Sequence, residues 1–309
     1  MPLPAKVIID TDPGVDDAIA IMMALADPGV EVLGLTAVGG NVSLSWAARN
    51  ALALLEYAGR SEIPVARGAA RPRRGSFPYA HHFHGPTGLT RRLPKPAVRP
   101  ITIGAVDFLA QQVERYPGQI GLVALGPLTN LARLERRYPK SLQGFASLTV
   151  MGGAVGTPGN VTPHAEFNFY SDPVAAQEVL SSGVPLILVD LGACRRVYLD
   201  RGSAARLVCD DPLGALVVEL LQNWFEVDQQ RERFEFYDPL TWAAAIDPAI
   251  LTTKPVTIEV ETQDSRRLGE SRVLHDGGPV SVVEQVDHRR FFALLTRLLK
   301  LPQLAPIDS

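Results

Sequence analysis

The 309-residue chain predicts an α/β protein with an open, mostly parallel sheet, helices on both faces and a small antiparallel extension near the C-terminus. Three observations carry that expectation. Short apolar runs alternate with longer segments of helical composition, the rhythm of repeated β-turn-α units. The apolar runs lack polar alternation, as strands buried on both faces do. Two segments near the C-terminus behave differently, alternating or carrying charge between Gly-rich turns.

The elements follow in order. Residues 7–9 are a short apolar run, and 18–26 have helical composition after an acidic start. Residues 30–38 are rich in β-branched side chains and end in Gly39-Gly40. Residues 44–58 read as a helix that Gly59 ends. Residues 68–99, rich in Pro, Arg and Gly, are the longest irregular stretch, of the kind that forms lids and binding loops. Residues 120–125 read as a strand, and Gly126-Pro127 turns the chain into a helix over 128–138. A strand over 148–151 ends in Gly152-Gly153, a helix covers 173–181, and 185–191 is another buried strand. Residues 256–262 and 280–286 form the antiparallel extension, and a helix around 289–299 closes the chain. No linker or internal repeat divides it, so residues 1–309 read as one domain.

Composition narrows the function classes. A hydrophobic fraction of 46% with 20% charged residues is that of a folded globular protein. The net charge is −3 and no Lys/Arg-rich run stands out, which argues against nucleic acid as a partner. The basic clusters at 71–74 and 91–92 sit among Pro and Gly and read as solvated loops. Cys194 and Cys209 make neither a disulfide framework nor a CxxC zinc pair, so a reducing cytoplasm is the expected location. The N-terminus lacks a signal-peptide stretch, and the longest apolar run, 18–26, falls short of the ~20 residues that span a bilayer. A soluble protein with no membrane partner is expected.

The stretch "VIIDTDPGVDD" gathers Asp10, Asp12, Asp16 and Asp17 at the end of an apparent buried strand. Asp16 and Asp17 fall at a helix start, where the dipole favours negative charge. That does not explain Asp10 and Asp12, which lie two apart and point to one side of an extended segment. A bound hard cation, Ca2+ or Mg2+, does explain them. Other polar groups also follow predicted strands: Asn41, Gly126, Gly152-Gly153 and the run "GNVTPHAEFN" over 159–168. In an open parallel sheet all would face one edge, where ligands bind. A second reading competes on the carboxylates alone. Asp-x-Asp after a first strand also opens haloacid-dehalogenase-type phosphatases, where the first Asp is a nucleophile. Here Pro13-Gly14-Val15 replaces their Gly-Thr-apolar continuation, and only Asp210-Asp211 could supply their later acidic pair.

"DTDPGVDDAIAI" resembles the DxDPGxDDxxA signature of the inosine-uridine preferring nucleoside N-ribohydrolases. "TAVGGN", "HGPTGL", "ALGPLTNLA", "VMGGA", "GNVTPHAEFNFYSDP" and "DPLTWAAAIDP" resemble that family in the same order, over nearly the whole chain. The resemblance implies hydrolysis of the N-glycosidic bond of ribonucleosides, one tightly bound Ca2+ and a homodimer or homotetramer. It implies that Asp12 binds the metal and takes the proton of the attacking water, with Asp17 and Asp238 as further carboxylate ligands. Leu125, which ends a strand before Gly126, is the implied carbonyl donor ahead of Thr129. Asp10 is implied to support this set. Asp16, Asn41, Asn160, Glu166 and Asn168 resemble the ribose contacts, with Met151 adding its backbone carbonyl and Phe167 packing near the sugar. His84 is the candidate base contact.

The chain departs from the family at Tyr237, where many members carry a His that helps the base leave. Tyrosine, with a pKa near ~10, is a poorer proton donor at neutral pH, and Tyr237 is the candidate leaving-group residue in its place. The departure also admits a catalytically weak nucleoside- or ribose-binding relative. His81 and His82 read as loop residues rather than zinc ligands, and Trp224, Phe225, Gln229, Arg231 and Arg233 lie on a segment that borders the base pocket in relatives.

Overall fold

The computed structural model describes residues 5–304. Its strands are β1 (Lys6–Thr11), β2 (Glu31–Ala37), β3 (Val65–Arg67), β4 (Ile120–Ala124), β5 (Ser147–Met151), β6 (Leu186–Val189), β7 (Tyr198–Asp200), β8 (Arg233–Glu235), β9 (Leu251–Val260), β10 (Ser271–Asp276) and β11 (Val280–Val286). Its helices are α1 (Val15–Ala26), α2 (Leu44–Tyr57), α3 (His81–His84), α4 (Ala105–Arg115), α5 (Thr129–Arg137), α6 (Phe167–Ser171), α7 (Pro173–Leu180), α8 (Leu191–Cys194), α9 (Arg201–Ala205), α10 (Pro212–Val227), α11 (Tyr237–Ile246) and α12 (His288–Leu299).

Nine strands form one sheet in the order β10-β9-β11-β6-β5-β4-β1-β2-β3. From β11 to β3 every neighbouring pair is parallel. Only β9 runs against its neighbours β11 and β10. Chain order reverses at β1, which lies between β2 and β4. This is the switch point at which open α/β sheets leave a crevice beyond their strand ends.

Both faces of the sheet are covered, and β1 shows why its sequence is uniformly apolar. Val7 and Ile9 enter one core, with side chains of α1, α2, α10, α11 and α12. Ile8 enters the opposite core, with side chains of α4, α5 and α7. Side chains alternate across a strand, so a strand covered twice needs apolar residues at every position. Helix starts are set by local chemistry. Asp172 caps α7 through Ala175 N–H at 3.1 Å, and Pro173 follows at the first helical position, where its missing N–H costs nothing. Gly59, just past α2, takes φ +69°, the left-handed conformation that ends helices.

Several features depart from the sequence expectations, among them the helices α4, α10 and α11, which those expectations did not include. The helix expected over 18–26 begins at Val15, so Asp16 and Asp17 lie inside its first turn. The antiparallel extension has β9 and β10 as its outer pair, and 280–286 (β11) joins the parallel sheet through β6. Residues 68–99 contain the single turn α3. A second, two-stranded sheet of β7 and β8 flanks α9 and α10. These three-residue strands carry too little pattern to read. Among the described residues no helix is long and apolar enough to cross a membrane.

Candidate active site

The site is built where β1, β4 and β5 end. Asp10, the next-to-last residue of β1, is wholly buried; its Oδ1 accepts from Thr36 Oγ1 at 2.5 Å and Asn130 Nδ2 at 2.7 Å. Asp12 lies one residue beyond the strand, also wholly buried, with Oδ2 accepting the Asn41 N–H at 2.5 Å. Glycine is needed on both sides of it. A Cβ at Gly40 would run into its Oδ2, and one at Gly126 would lie 2.5 Å from its Oδ1. Asp17 is fixed by Thr11 Oγ1 at 2.5 Å, Gly14 N–H at 2.8 Å and Asn41 Nδ2 at 3.2 Å. Asn41 thus joins Asp12 and Asp17 through one backbone and one side-chain donor.

One carboxylate oxygen each of Asp16, Asp17 and Asp238 lies within 4.8 Å of the others, the only such group of potential metal ligands among the described residues. Burial raises the carboxyl pKa of all the site's aspartates, and repulsion between them adds to it at Asp12, Asp16 and Asp238. Burial pushes Asp10 up to about 7, and burial with the charge of Asp17 pushes Asp16 up to about 8. Asp12 and Asp238 are raised well above the usual range for the same reasons, and Asp17 is raised by burial. Oδ1 of Asp12, Oδ1 of Asp16 and Oδ2 of Asp10 are buried without a hydrogen-bond partner. Carboxylates so placed cost free energy unless something positive pairs with them. Converging oxygens with no Cys or His among them suit a hard divalent cation, so the residues fit the metal expected.

Glu166 and Asn168 line the same pocket and extend this floor. Glu166 caps α6, accepting from Gly153 N–H at 3.0 Å, Asn168 N–H at 2.8 Å and Phe169 N–H at 3.1 Å. Burial still pushes its carboxyl up to about 7. Asn168 spends its Nδ2 on the Leu125 carbonyl at 2.7 Å and the Met151 carbonyl at 3.3 Å. Its Oδ1 is then the atom left for a ligand, as an acceptor.

The other wall comes from α3 and α11. His84 is buried, and its Nδ1 accepts the Val15 N–H at 3.1 Å. Burial, then the charge of Arg231, pushes its pKa down to about 3. The ring is neutral, with its proton on Nε2, and the 3.8 Å approach of Nδ1 to Asp16 is no ion pair. Tyr237 donates its hydroxyl to Glu235 at 2.5 Å; burial, then Glu235, raises its pKa well above 10. Phe83 meets His84 edge-on at 4.7 Å and Trp224 at 5.1 Å.

One pocket brings most of the sequence candidates together: Asp16, Asn41, His84, Leu125, Met151, Asn160, Glu166, Phe167, Asn168, Tyr237 and Asp238 all line it. Asp12 and Asp17 do not line it; both are wholly buried. Asp12, expected as a ligand, is not among the three whose oxygens converge, and Asp16, expected on the sugar, is. Ala80, His82, Phe83 and Val161 also line the pocket, and the sequence reading gave none of them a place in the site. His82 and Phe83 sit inside "HHFHG", where the approach of His84 was the only available signal. Glu235 as the partner of Tyr237 was likewise unread. Asp211 caps α10 and pairs with Lys300, which gives it a role in the fold.

Residues 7–293 match the family of inosine-uridine preferring nucleoside hydrolases. A probable uridine nucleosidase 2 from Oryza sativa subsp. japonica is 36% identical, the alignment covering 96% of this chain and 94% of that protein. A pyrimidine-specific ribonucleoside hydrolase RihA from Citrobacter koseri is 36% identical, over 95% of this chain and 97% of its own. Among solved structures, the plant nucleoside hydrolase PpNRh1 superposes with a TM-score of 0.88 at 35% identity, covering 96% of this chain and 99% of that one. An inosine-guanosine nucleoside hydrolase gives a TM-score of 0.87 at 26% identity, over 96% and 98%.

Proposed function

The chain belongs to the inosine-uridine preferring nucleoside hydrolase family and is a hydrolase acting on N-glycosyl bonds of ribonucleosides; we propose that it does so with a Ca2+ ion, Asp12 serving as the base for the attacking water. The observation that carries the metal reading is the buried convergence of Asp16, Asp17 and Asp238, with which no lysine or arginine pairs among the described residues. When bound, Ca2+ supplies the charge that keeps these carboxylates ionised, orders water and the ribose diol, and lowers the water's pKa.

The chain's own residues do the rest. Asp12 is held through Oδ2 by the Asn41 N–H, which leaves Oδ1 free to take a proton from water. Water oxygen bonds to the anomeric carbon as the bond from that carbon to the base nitrogen breaks, and the base leaves with the bonding pair. Positive charge develops on the sugar, as in glycoside hydrolysis generally. Glu166 and the Oδ1 of Asn168 accept from sugar hydroxyls, and Asn160 and Asn41 complete that rim. Tyr237 lines the pocket with its one hydroxyl proton donated to Glu235, so it serves the departing base as a donor only by exchanging Glu235 for the base as acceptor. Uridine is the first substrate to test, since two relatives are named for uridine or pyrimidine ribonucleosides.

The test is reducing-sugar release from a panel of ribonucleosides before and after chelation, with Ca2+ restored. Ribose release that Ca2+ alone restores is the expected result. Full turnover in demonstrably metal-free protein would sink the metal reading, and nucleoside binding without ribose release would mean a silent relative.

A further inference from the structure

Arg231 lies outside the pocket yet is nearly buried, its side chain 10% exposed, and it touches three parts of the base-side wall. Its guanidinium stacks 4.2 Å from the Trp224 ring and 5.6 Å from the Phe83 ring. Nη1 donates to the Trp224 carbonyl at 2.7 Å, and Nη2 donates to the His82 carbonyl at 2.8 Å. The one carboxylate beside it, Asp228, is 3.6 Å away and half exposed. A cation is buried here chiefly to hold backbone carbonyls and aromatic faces.

Its own anchorage is equally specific. Arg201, at the start of α9, donates from Nε to the Arg231 carbonyl at 3.1 Å and from Nη2 to the Phe225 carbonyl at 2.9 Å and the Asp228 carbonyl at 2.8 Å. Two arginines in series thus run from the β7–β8 sheet to the turn after α10, and from that turn to α3. What they hold lines the pocket: His82 and Phe83. Within residues 68–99, α3 is a single turn in an otherwise irregular segment, so it has little rigidity of its own.

We propose that Arg231 is a positioning residue for nucleoside recognition, clamping α3 so that Phe83 forms the apolar wall against which the base packs. The proposal rests on the reading that the floor takes ribose and the α3 side takes the base. A planar base gains from a fixed aromatic wall, and a wall that must be ordered at each encounter weakens binding. Ribose lacks the base and is indifferent to that wall. Loss of the clamp therefore separates nucleoside from sugar.

The experiment compares wild type, Arg231→Met and Arg231→Lys for nucleoside KM, kcat and inhibition by free ribose, with Ca2+ present. Met keeps the apolar stem; Lys keeps the charge over Trp224 but loses the forked donor set. The expected result is a nucleoside KM raised about tenfold in Arg231→Met, with kcat and the ribose inhibition constant held within about twofold, and partial recovery in Arg231→Lys. An unchanged nucleoside KM in Arg231→Met overturns the clamp. A ribose inhibition constant that rises in step with KM also overturns it, because the effect is then damage to the whole site. If Arg231→Met does not fold, the same comparison of Arg231→Lys with wild type decides. A wild type that ribose does not inhibit counts against the sugar-floor reading, and the KM ratio between variants still judges the clamp.

Discussion

The two walls of the site are made by different means. The carboxylate floor stands on the ends of parallel strands and on the first turns of α1 and α11, and short hydrogen bonds from backbone and buried side chains fix much of it. The base-side wall stands on one helical turn, a post-helix turn and a half-buried tyrosine, tied by arginines and ring contacts. The floor's geometry follows from sheet register: Asp10 is paired opposite Thr36 on one neighbour and Ala124 on the other. The wall's geometry follows from how irregular segments dock. A floor of this kind is suited to a constant sugar, and a wall of this kind can change with the base.

The break that reaches every substrate is at Asp12. Asp12→Ala should lower kcat by about 10^3-fold or more for every nucleoside, the loss being the same whichever base departs. Thermal unfolding should show the variant folded, since a buried carboxylate without a full set of partners is removed. Near-normal ribose release would remove Asp12 from its role. Next is the sugar itself. A floor that hydrogen-bonds hydroxyls leaves buried polar groups unpaired against a 2′-deoxy ligand, so kcat/KM for 2′-deoxyuridine should fall about 10^4-fold below uridine. Comparable rates would mean that Glu166 and Asn168 do not read that edge.

The floor also makes stability depend on pH. Without a cation, Asp10 and Glu166 titrate near 7 and Asp16 near 8, far above an unfolded aspartate or glutamate. Between pH 4 and these values the folded state holds protons that the unfolded chain has released. The metal-free protein therefore loses stability as pH rises from about 4 to 8. A divalent cation favours the ionised carboxylates, so the stabilisation it adds should grow over the same range. Scanning calorimetry with chelator or Ca2+ checks this, with a Ca2+ increment in Tm larger at pH 8 than at pH 5 by about 5 °C. An increment of the same size at both pH values would show that these carboxylates are not what the cation meets.

The contrast between the walls also decides what was legible. Every floor residue lies in a stretch where chemistry and chain geometry coincide: Asp12 and Asp17 flank a Pro-Gly turn, and Glu166 caps the helix on which Asn168 sits. Such signals are short in range, so the sequence exposes them. The sequence reading gave Asp12 to the metal and Asp16 to the sugar, whereas the oxygens that converge are those of Asp16, Asp17 and Asp238. The wall depends on contacts between residues 149 positions apart, such as Arg231 with His82, and no local pattern announces them. The small β7–β8 sheet was unread because its strands are so short, although Arg201, which holds the turn, directly follows β7.

The smallest effect belongs to Tyr237, and it sharpens the comparison most. Its hydroxyl proton is aimed at Glu235, a half-buried carboxylate, and burial beside that charge keeps the phenol protonated at any ordinary pH. To help the base, the phenol must exchange Glu235 for it as acceptor, and it gives up its proton reluctantly, so its help is worth no more than one hydrogen bond, about 1 kcal/mol. Tyr237→Phe should then slow ribose release from uridine or inosine by about tenfold or less. It should leave unchanged the cleavage of a riboside whose leaving group departs as a stable anion, such as 4-nitrophenyl riboside, because no donor is needed there. Equal losses on both substrates would show that the residue acts through the adjacent Asp238 and the floor. No loss on either would leave Tyr237 as packing against Phe83, whose ring lies 6.5 Å away. A loss confined to the natural nucleosides would place the leaving-group function on the wall and keep it separate from the floor, to which we assign the activation of water.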